Sequence, residues 1–382
     1  METASLRCST FTPLTDVVVD QWRALAERAA EPNGYYLPDW ELAVNATAAG
    51  RTGASALSAF APAQDGVTRL TGLMPVVSMW RAYRIPLPAW VSAHPYGTLC
   101  APLLDRDVSH DAAVELMRAA RETGAHALVL RDISVNGAAM KAFAAVLRQG
   151  GMRPIVLRSC LRACLDATRN ADELLRESLG ARKMKELRRQ RHRLAEHGAV
   201  HFDVARTEHA VAAALETFLR LEASGWKGRR GTALIQHDGD ASFIRRAAPA
   251  LAASGQCEIV TLRAGETAVA GAIVLRHQDR AFYFKLGVDE GFAKFSPGVQ
   301  LTLELTRHLC ADPAIATADS TASPDHPMIN PIWRGRFEIG DVLIPLRRND
   351  PVATLIRAVL ITRHFVLERA RSAVRVIRKR RR

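Results

Sequence analysis

CEIVTLRA (257–264), TAVAGAIVLR (267–276) and AFYFKLGV (281–288) follow one another closely and lead at once into SPGVQLTLELTRHL (296–309). Short turn signals, Ala264-Gly265-Glu266 and Gln278-Asp279, separate the three apolar runs. Spacers this short join antiparallel neighbours, whereas a parallel crossover needs a dozen or more residues, so the stretch reads as a β-meander. Ser296-Pro297-Gly298 opens a helix running to Leu309. Pro297 is tolerated in its first turn because the N–H it lacks would have no partner there.

Working outward, AIATADS (314–320) reads as a strand that ends at Asp319. Upstream lie a strand near 199–205, a helix with Val211, Leu215, Phe218 and Leu219 inward, and a helix over about 240–253. A basic helix from about Ala171 places Met184, Leu187 and Leu194 on one face before Gly198 stops it, and its charge gives it the look of an arm. The first half alternates in the same style. Apolar runs at 54–60 and 67–79 precede the Pro-punctuated IPLPAWVSAHPYGTLCAPLL (85–104). A helix capped by Ser109 runs to about Glu122, HALVLRDI (126–133) is a buried strand, a helix over 137–149 ends at Gly150-Gly151, and strands fill 152–166. The expected architecture is α/β with mixed sheets in two related halves. Residues 1–168 form the first, 169–198 the basic helical arm, 199–348 the second, and 349–382 a basic amphipathic helix or tail.

A chain of 382 residues exceeds what one core usually organises, and 48% apolar with 24% charged residues is the mixture of a folded globular protein. The start METASLRCSTF has only Arg7 as a basic residue and no apolar stretch of signal-peptide length, so export is not expected, and no run has the length of a membrane span. Cys8, Cys100, Cys160, Cys164, Cys257 and Cys310 lack CxxC spacing and read as reduced, mostly buried thiols, and no metal is implied. The net charge of +13 is concentrated in two places. Between 182 and 193, Arg182, Lys183, Lys185, Arg188, Arg189, Arg191 and Arg193 face only Glu186, and beyond 350 ten Lys/Arg face only Glu368. The remaining body is slightly acidic. This distribution implies anionic contacts at defined places and argues against coating of nucleic acid by the whole protein. No GxxxxGK[ST], HExxH, GxSxG or strand-preceded GxGxxG is present, and Asp105-Arg106-Asp107 reads as loop and cap chemistry.

ARKMKELRRQRHRLAEHG (181–198), LEASGWKGRRGTAL (221–234), VAGAIVL (269–275), KLGVDEGFAKFSPGVQL (285–301) and ADSTASPDHPMINPIW (318–333) occur in that order. Over roughly residues 170–346 the chain resembles the C-terminal half of CelD/BcsL-type acetyltransferases of the GNAT superfamily, which are linked with cellulose and exopolysaccharide production. The first half matches in layout only, as in the tandem-GNAT FemABX enzymes. The resemblance implies acetyl-CoA or another acyl-CoA as co-substrate, an amine or hydroxyl acceptor of small-molecule, sugar or lipid-linked type, and a cytoplasmic location. The C-terminal helix is a candidate for contact with an anionic membrane surface. Two other readings stay open: a FemABX-like transferase using aminoacyl-tRNA gripped by the arm, and a non-catalytic member recruited to membrane or nucleic acid.

The GNAT chemistry places specific expectations on residues. Unpaired N–H groups around Ser296, Gly298 and Val299 suit an anion at the helix N-terminus, with Lys294 beside it, although Pro297 removes one donor and SPG is also an ordinary helix start. Gly287 marks either the bulge that a GNAT strand uses at the thioester or a plain strand end before Asp289-Glu290-Gly291. Acyl transfer needs a base and an acid close to the thioester, and Asp319 with His326 is the candidate pair, either of which could instead cap its loop. Tyr283 and Lys285 alternate with Phe282 and Phe284, so one pair should face the core and the other the cleft, where Tyr283 and Lys285 would orient the acyl group. Trp226 and Lys227, in a Gly-flanked loop, are either ligand contacts or a structural staple, and Arg229 and Arg230 extend the cation count. His94 and Tyr96 lie in a Pro-Gly loop where an acceptor pocket could form between the halves.

In the tail, Val352, Leu355, Ile356, Val359, Val366 and Val374 fall on one helical face, interrupted by Arg363, with Arg357, Arg371, Arg375 and Arg378 opposite. Packing of that face on the body is expected.

Overall fold

Each half of the chain repeats one unit: an antiparallel meander, a helix crossing it, and a strand that returns parallel to the meander's last strand. The computed structural model describes residues 9–62 and 68–380, without the side chains of residue 368 and of residues 370–380. Arg7 and Cys8, and the side chains of Arg371, Val374, Arg375 and Arg378, lie outside the described part. In the first half β1 (Ser9–Pro13), β2 (Ser55–Pro62), β3 (Thr68–Ser78) and β4 (Ala89–Ser92) pair antiparallel in turn. β5 (Leu103–Leu104) adds to β3, β6 (Ala127–Ser134) lies parallel to β4, and β7 (Ile155–Asp166) follows. In the second half β8 (Val200–Ala205), β9 (Cys257–Ala264), β10 (Thr267–His277) and β11 (Arg280–Val288) form the meander. β12 (Thr317–Asp319) lies parallel to β11, and β13 (Gly335–Pro345) comes last.

The helices are α1 (Val19–Glu27), α2 (Pro38–Thr47), α3 (Met79–Tyr83), α4 (Ser109–Glu122), α5 (Ala138–Gln149), α6 (Ala171–Ala195), α7 (Glu208–Ser224), α8 (Trp226–Arg229), α9 (Asp238–Ala253), α10 (Pro297–Cys310) and α11 (Pro351–Arg380). Their buried faces follow helical spacing. Val211, Leu215, Phe218 and Leu219 of α7 and Leu301, Leu305 and Leu309 of α10 are fully buried, as a 3.6-residue period on an amphipathic helix requires. At α4 the cap is Val108, without a side-chain bond, and Ser109 is the first helical residue. α1, α2 and β13 were not legible as elements.

The strands join in one sheet in the order β1-β2-β3-β4-β6-β13-β7-β12-β11-β10-β9-β8. The last strand of the chain, β13, lies between β6 and β7 of the first half, pairing from Ile339↔Ser134 to Pro345↔Ala127 on one side and from Gly335↔Cys164 to Leu343↔Ile155 on the other. β7 in turn pairs β12 through Asp319↔Cys164. Side-chain contacts add to this interlock. The imidazole of buried His277 accepts from Asn33 N–H at Nδ1 (2.8 Å) and meets the Ala26 carbonyl at Nε2 (2.9 Å), and burial pushes its pKa down to about 4. The ring is therefore neutral and bridges the halves. Buried Asp240 accepts from Ala49 N–H (3.0 Å) and from the Tyr96 hydroxyl (2.7 Å).

The basic helix does not project as an arm. Met184, Leu187 and Leu194 are buried, Gln300 Nε2 on α10 donates to the Leu187 carbonyl at 2.8 Å, and Arg191 pairs with Glu304 at 2.8 Å. Gly180, with φ 73° and ψ 163°, breaks the helix just before the basic segment and turns it onto α10. On α11, Ala353 is buried, and Ile356 and Leu360 are buried in a cluster with Val91, Val129 and Leu343. Leu355 and Val366 are exposed, so the expected apolar face divides between body and solvent. Among the described residues no helix is long and apolar enough to cross a membrane. Five of the cysteines are described and free, Cys100 and Cys257 buried and the other three half-buried.

Because β13 fills the space between β6 and β7, a chain ending before Gly335 leaves both strands unpaired along that edge and exposes the apolar surface that Val342, Leu343 and Ile344 cover. Such a truncation is expected to lose its cooperative thermal transition by circular dichroism, whereas one ending after Leu367 is expected to keep it.

Candidate active site

β11 and β12 are parallel for three residue pairs, Arg280↔Thr317, Ala281↔Ala318 and Phe282↔Asp319, and then part. A cleft of about 420 Å3 opens at the parting, between Tyr283–Val288 of β11 on one side and Ser320–Ala322 with His326, Met328 and Ile329 on the other. α7 and α8 supply its rim through Glu222, Trp226 and Lys227. That volume lies within the range of small-molecule sites.

The strand geometry inside the cleft differs from simple alternation. The β10–β11 register shifts between Ile273↔Lys285 and Val274↔Tyr283, which makes Phe284 the extra residue of a bulge. The bulge is thus at Phe284 and not at Gly287. Its consequence is that Phe284 and Lys285 share the α7 side of the sheet, while Tyr283 faces α10, so Tyr283 and Lys285 do not act as a pair. The Tyr283 hydroxyl is buried against Thr302 Oγ1 (3.2 Å), burial raises its pKa well above the usual value, and its ring packs 5.9 Å from Trp333. It is a core residue whose backbone borders the cleft. Gly287 has another reason to be glycine: a Cβ there would stand 2.9 Å from the Glu222 backbone nitrogen. Its absence lets α7 approach β11.

Lys285 reaches Glu222 Oε1 at 3.1 Å, and Lys227 Nζ reaches the same oxygen at 3.1 Å while donating to the Leu286 carbonyl at 2.9 Å. The other carboxylate oxygen accepts the Leu234 N–H at 2.9 Å. Burial opposes ionisation of Glu222, but the two ammonium groups and the amide hold its pKa below the ordinary range. Lys285 is held below the usual lysine range by burial, against the pull of Glu222 and with the repulsion of Lys227. Glu222 was not among the residues singled out from sequence. It sits at the i+4 position from Phe218 on the buried face of α7, and a carboxylate at a core-facing position was the signal that could have found it.

His326 lines the cleft. Its Nδ1 faces the backbone N–H groups of Met328 and Ile329 at 3.4 Å, and among the described residues Nε2 has no partner. Burial, with the charge of Lys227, holds its pKa below the usual 6.5, so the ring is neutral at pH 7. Asp319 is separated from it in role. Its carboxylate is 2% exposed and forms an ion pair with Arg162 Nη2, while accepting the Thr321 N–H at 2.9 Å. Arg162, 3% exposed, also donates to the carbonyl and hydroxyl of Thr98 at 2.6 and 2.9 Å. Asp319 therefore clasps β12 to β7 and to the first half and is not a cleft base, which corrects the Asp319–His326 pairing.

α10 begins beside the cleft. Gln300 N–H already bonds the Ser296 carbonyl and Pro297 has no N–H, leaving those of Gly298 and Val299 without an intrahelical acceptor. A Cβ on Gly298 would come within 3.1 Å of Leu286 Cδ2 and 3.2 Å of Val288 Cγ2, so this glycine sets how closely the helix start meets β11. Ser296 holds a left-handed conformation (φ 53°) and caps without a side-chain bond. Lys294 is exposed on the preceding turn, 4.8 Å over the Phe295 ring, and Arg193 of α6 approaches the same ring at 5.8 Å.

Trp226 is 51% exposed at the rim, with the Arg230 guanidinium 5.1 Å over its ring, and Arg229 pairs with Glu290 at 2.7 Å. His94 and Tyr96 do not line the cleft. His94 Nδ1 accepts from Tyr96 N–H (3.1 Å) and Arg51 Nε (3.5 Å), and burial with the nearby Arg131 and Arg51 charges pushes its pKa down to about 3. Tyr96 packs between the halves on Phe243 (4.9 Å), with Lys285 Nζ 5.6 Å from its ring. Tyr96 is an interface residue behind Lys285, and His94 supports its loop.

Residues 181–326 match the Acetyltransferase (GNAT) domain family. No curated protein sequence matches the chain. Among solved structures, FemX is similar at 14% identity and TM-score 0.56, covering 89% of this chain and 98% of that one. The C-terminal domain (DUF2156) of a putative lysylphosphatidylglycerol synthetase from Agrobacterium fabrum is similar at 14% identity and TM-score 0.52, covering 90% and 95%. A conserved protein of unknown function from Bacteroides thetaiotaomicron follows at 10% identity and TM-score 0.51, covering 86% and 98%. Residues 181–326 are thus similar to a GNAT acetyltransferase domain, and the whole chain has a mixed α/β fold similar to that of FemX.

Proposed function

We propose that the chain transfers an acyl group from acyl-CoA to an amine or hydroxyl acceptor in the β11–β12 cleft. The observation that carries this reading is the parting of two parallel strands directly beside the N-terminus of α10. The two free N–H groups and the helix dipole there suit the diphosphate of the donor, and the cleft would take the pantetheine arm and thioester. The N–H and C=O of one residue in an extended strand point to the same edge. Lys227 reaches the Leu286 carbonyl from outside the sheet, so the Leu286 N–H faces that open edge and would donate to the thioester oxygen as it gains charge.

In this scheme His326 Nε2 takes the proton of the acceptor as its nitrogen or oxygen attacks the thioester carbon. The tetrahedral intermediate then collapses, the carbon–sulfur bond breaks, and the departing thiolate recovers that proton from the imidazolium. Glu222 holds Lys227 and Lys285 at the cleft and so positions the strand edge. The CelD/BcsL resemblance supports an acceptor of exopolysaccharide or cell-envelope type, and the reaction would take place in the cytoplasm. A second donor, aminoacyl-tRNA, is supported by the exposed Arg182, Lys185, Arg188, Arg189 and Arg193 on α6. Binding through that face would weaken steeply with salt.

Calorimetric titration with acetyl-CoA is expected to show saturable binding that is lost in Ala322→Trp, which fills the cleft from a half-buried loop position. The absence of heat up to millimolar acetyl-CoA, the level of about −4 kcal/mol, would sink the simple acetyltransferase reading. His326→Ala is expected to bind the donor normally and to lower kcat by about 10² to 10⁴-fold, the usual share of general base catalysis; unchanged turnover removes His326 from the mechanism.

Glu222 generates a pH expectation. Its folded pKa lies below the ordinary 4.5, so its stabilisation is complete above pH 4.5 and is lost as pH falls through the depressed value. Glu222→Gln leaves two half-buried ammonium groups without their carboxylate, and urea unfolding at pH 7 is expected to show a loss of roughly 3 kcal/mol. The variant should also lose the acid limb that this carboxylate contributes.

A further inference from the structure

A second cleft, of about 310 Å3, lies under the middle of α11. Tyr83 of α3, Arg131 of β6, Arg158 of β7, Asp341 of β13, and Arg363 and His364 of α11 line it. Its volume is at the small end for ligand sites, enough for a phosphate with part of the group it is esterified to.

The charges in this cleft do not balance. Arg158 is satisfied: its Nε meets Asp341 Oδ2 at 2.6 Å and its Nη2 meets Asp341 Oδ1 at 3.0 Å and Asp132 Oδ1 at 2.9 Å. Asp341 also accepts the Asp132 N–H at 3.0 Å and stands 3.4 Å from His364 Nε2, so both carboxylates are engaged. Burial opposes ionisation of Asp341, but His364 and Arg158 hold its pKa down at about 2. Arg131 and Arg363 make no direct ion pair among the described residues; burial works against the Arg131 charge, but nearby groups including Asp132 and Asp341 keep its pKa above the usual value. Among the described residues neither guanidinium has a hydrogen-bond partner, and both lean on the Tyr83 ring, at 5.8 and 4.5 Å from its centroid. The Nδ1 of His364 is buried and also lacks a partner. Both guanidinium groups thus keep unused N–H donors at the cleft, and an anion bound between the two would accept from them.

We infer that this cleft is a binding site for a phosphate-bearing ligand, held by Arg131 and Arg363 with Tyr83 supplying a further hydrogen bond. Guanidinium forks from two sides offer more donors than a single carboxylate would use, which favours a tetrahedral phosphate. The phosphate could belong to a soluble compound or to a lipid headgroup. The second source has support in Phe365 and Val366, exposed at 56% and 57% on the same helix. The site is separate from the β11–β12 cleft and does not depend on acyl transfer there.

The experiment is calorimetric titration with inorganic pyrophosphate at fixed ionic strength, paired with co-sedimentation on phosphatidylcholine vesicles with and without phosphatidylglycerol. Wild type, Ala322→Trp, Arg131→Gln and Arg363→Gln are compared. Ala322→Trp is expected to bind like wild type, and each arginine variant at least ten-fold more weakly. Both arginine variants are first checked for a cooperative thermal transition by circular dichroism, so that weakened binding is read on folded protein. Saturable pyrophosphate binding identifies a soluble ligand. Binding to phosphatidylglycerol vesicles alone identifies a headgroup, provided it is lost in Arg131→Gln, whose site lies beneath α11 and off its basic surface. The inference is overturned if neither probe binds wild type, or if both arginine variants bind as wild type does.

Discussion

β11 and β12 keep their hydrogen bonds for three residue pairs and then separate, and the open edge this leaves on β11 is the constraint on which the site depends. Two neighbouring strands do not stay apart without something holding them. Here the buried Arg162–Asp319 pair fixes the end of β12 to β7 and, through Thr98, to the first half of the chain. Thr321 Oγ1 spans the parting just beyond it, donating to the Tyr283 carbonyl at 2.6 Å. Asp319 is thus indispensable to the cleft as an anchor. Both oxygens of its carboxylate are engaged, by Arg162 and by the Thr321 N–H, whereas His326 lines the cleft.

The electrostatics of the cleft centre on Glu222. One buried carboxylate gathers two lysines, an amide and, through Lys227, the outward carbonyl of β11, so α7, α8 and the strand edge are tied at one point. Gly287 lets α7 come close enough for this, and Gly298 does the same for α10 on the other side. The two glycines matter for the space they leave, not for backbone freedom, since neither has a positive φ.

Interlocking of the halves makes the site a product of the whole chain. β13 completes the first half's part of the sheet, His277 and Asp240 hold the second half to residues of the first, and Tyr96 backs Lys285. The bulge at Phe284 gives this interface its aromatic packing: Phe284 turns toward Trp40 (4.9 Å) and Tyr96 (6.2 Å) while Lys285 remains on the same side of the sheet.

The sequence by itself determined the meander at 257–288, the helix beginning at Pro297, the buried stripe of α7 and the basic helix, because hydrophobic period and turn residues are local properties. It also brought His326, Trp226, Lys227 and Lys285 into consideration, which the fold gathers at one cleft. It did not reveal β13's place between β6 and β7, the bulge at Phe284, or the partners of Asp319 and Glu222. Those depend on which distant groups meet: a bulge leaves alternation of residue types almost unchanged, and a carboxylate's role is set by the charges that surround it after folding. Only the tertiary structure decided that Asp319 is a clasp, that Glu222 organises the lysines, and that Arg131 and Arg363, 232 positions apart, face one empty space.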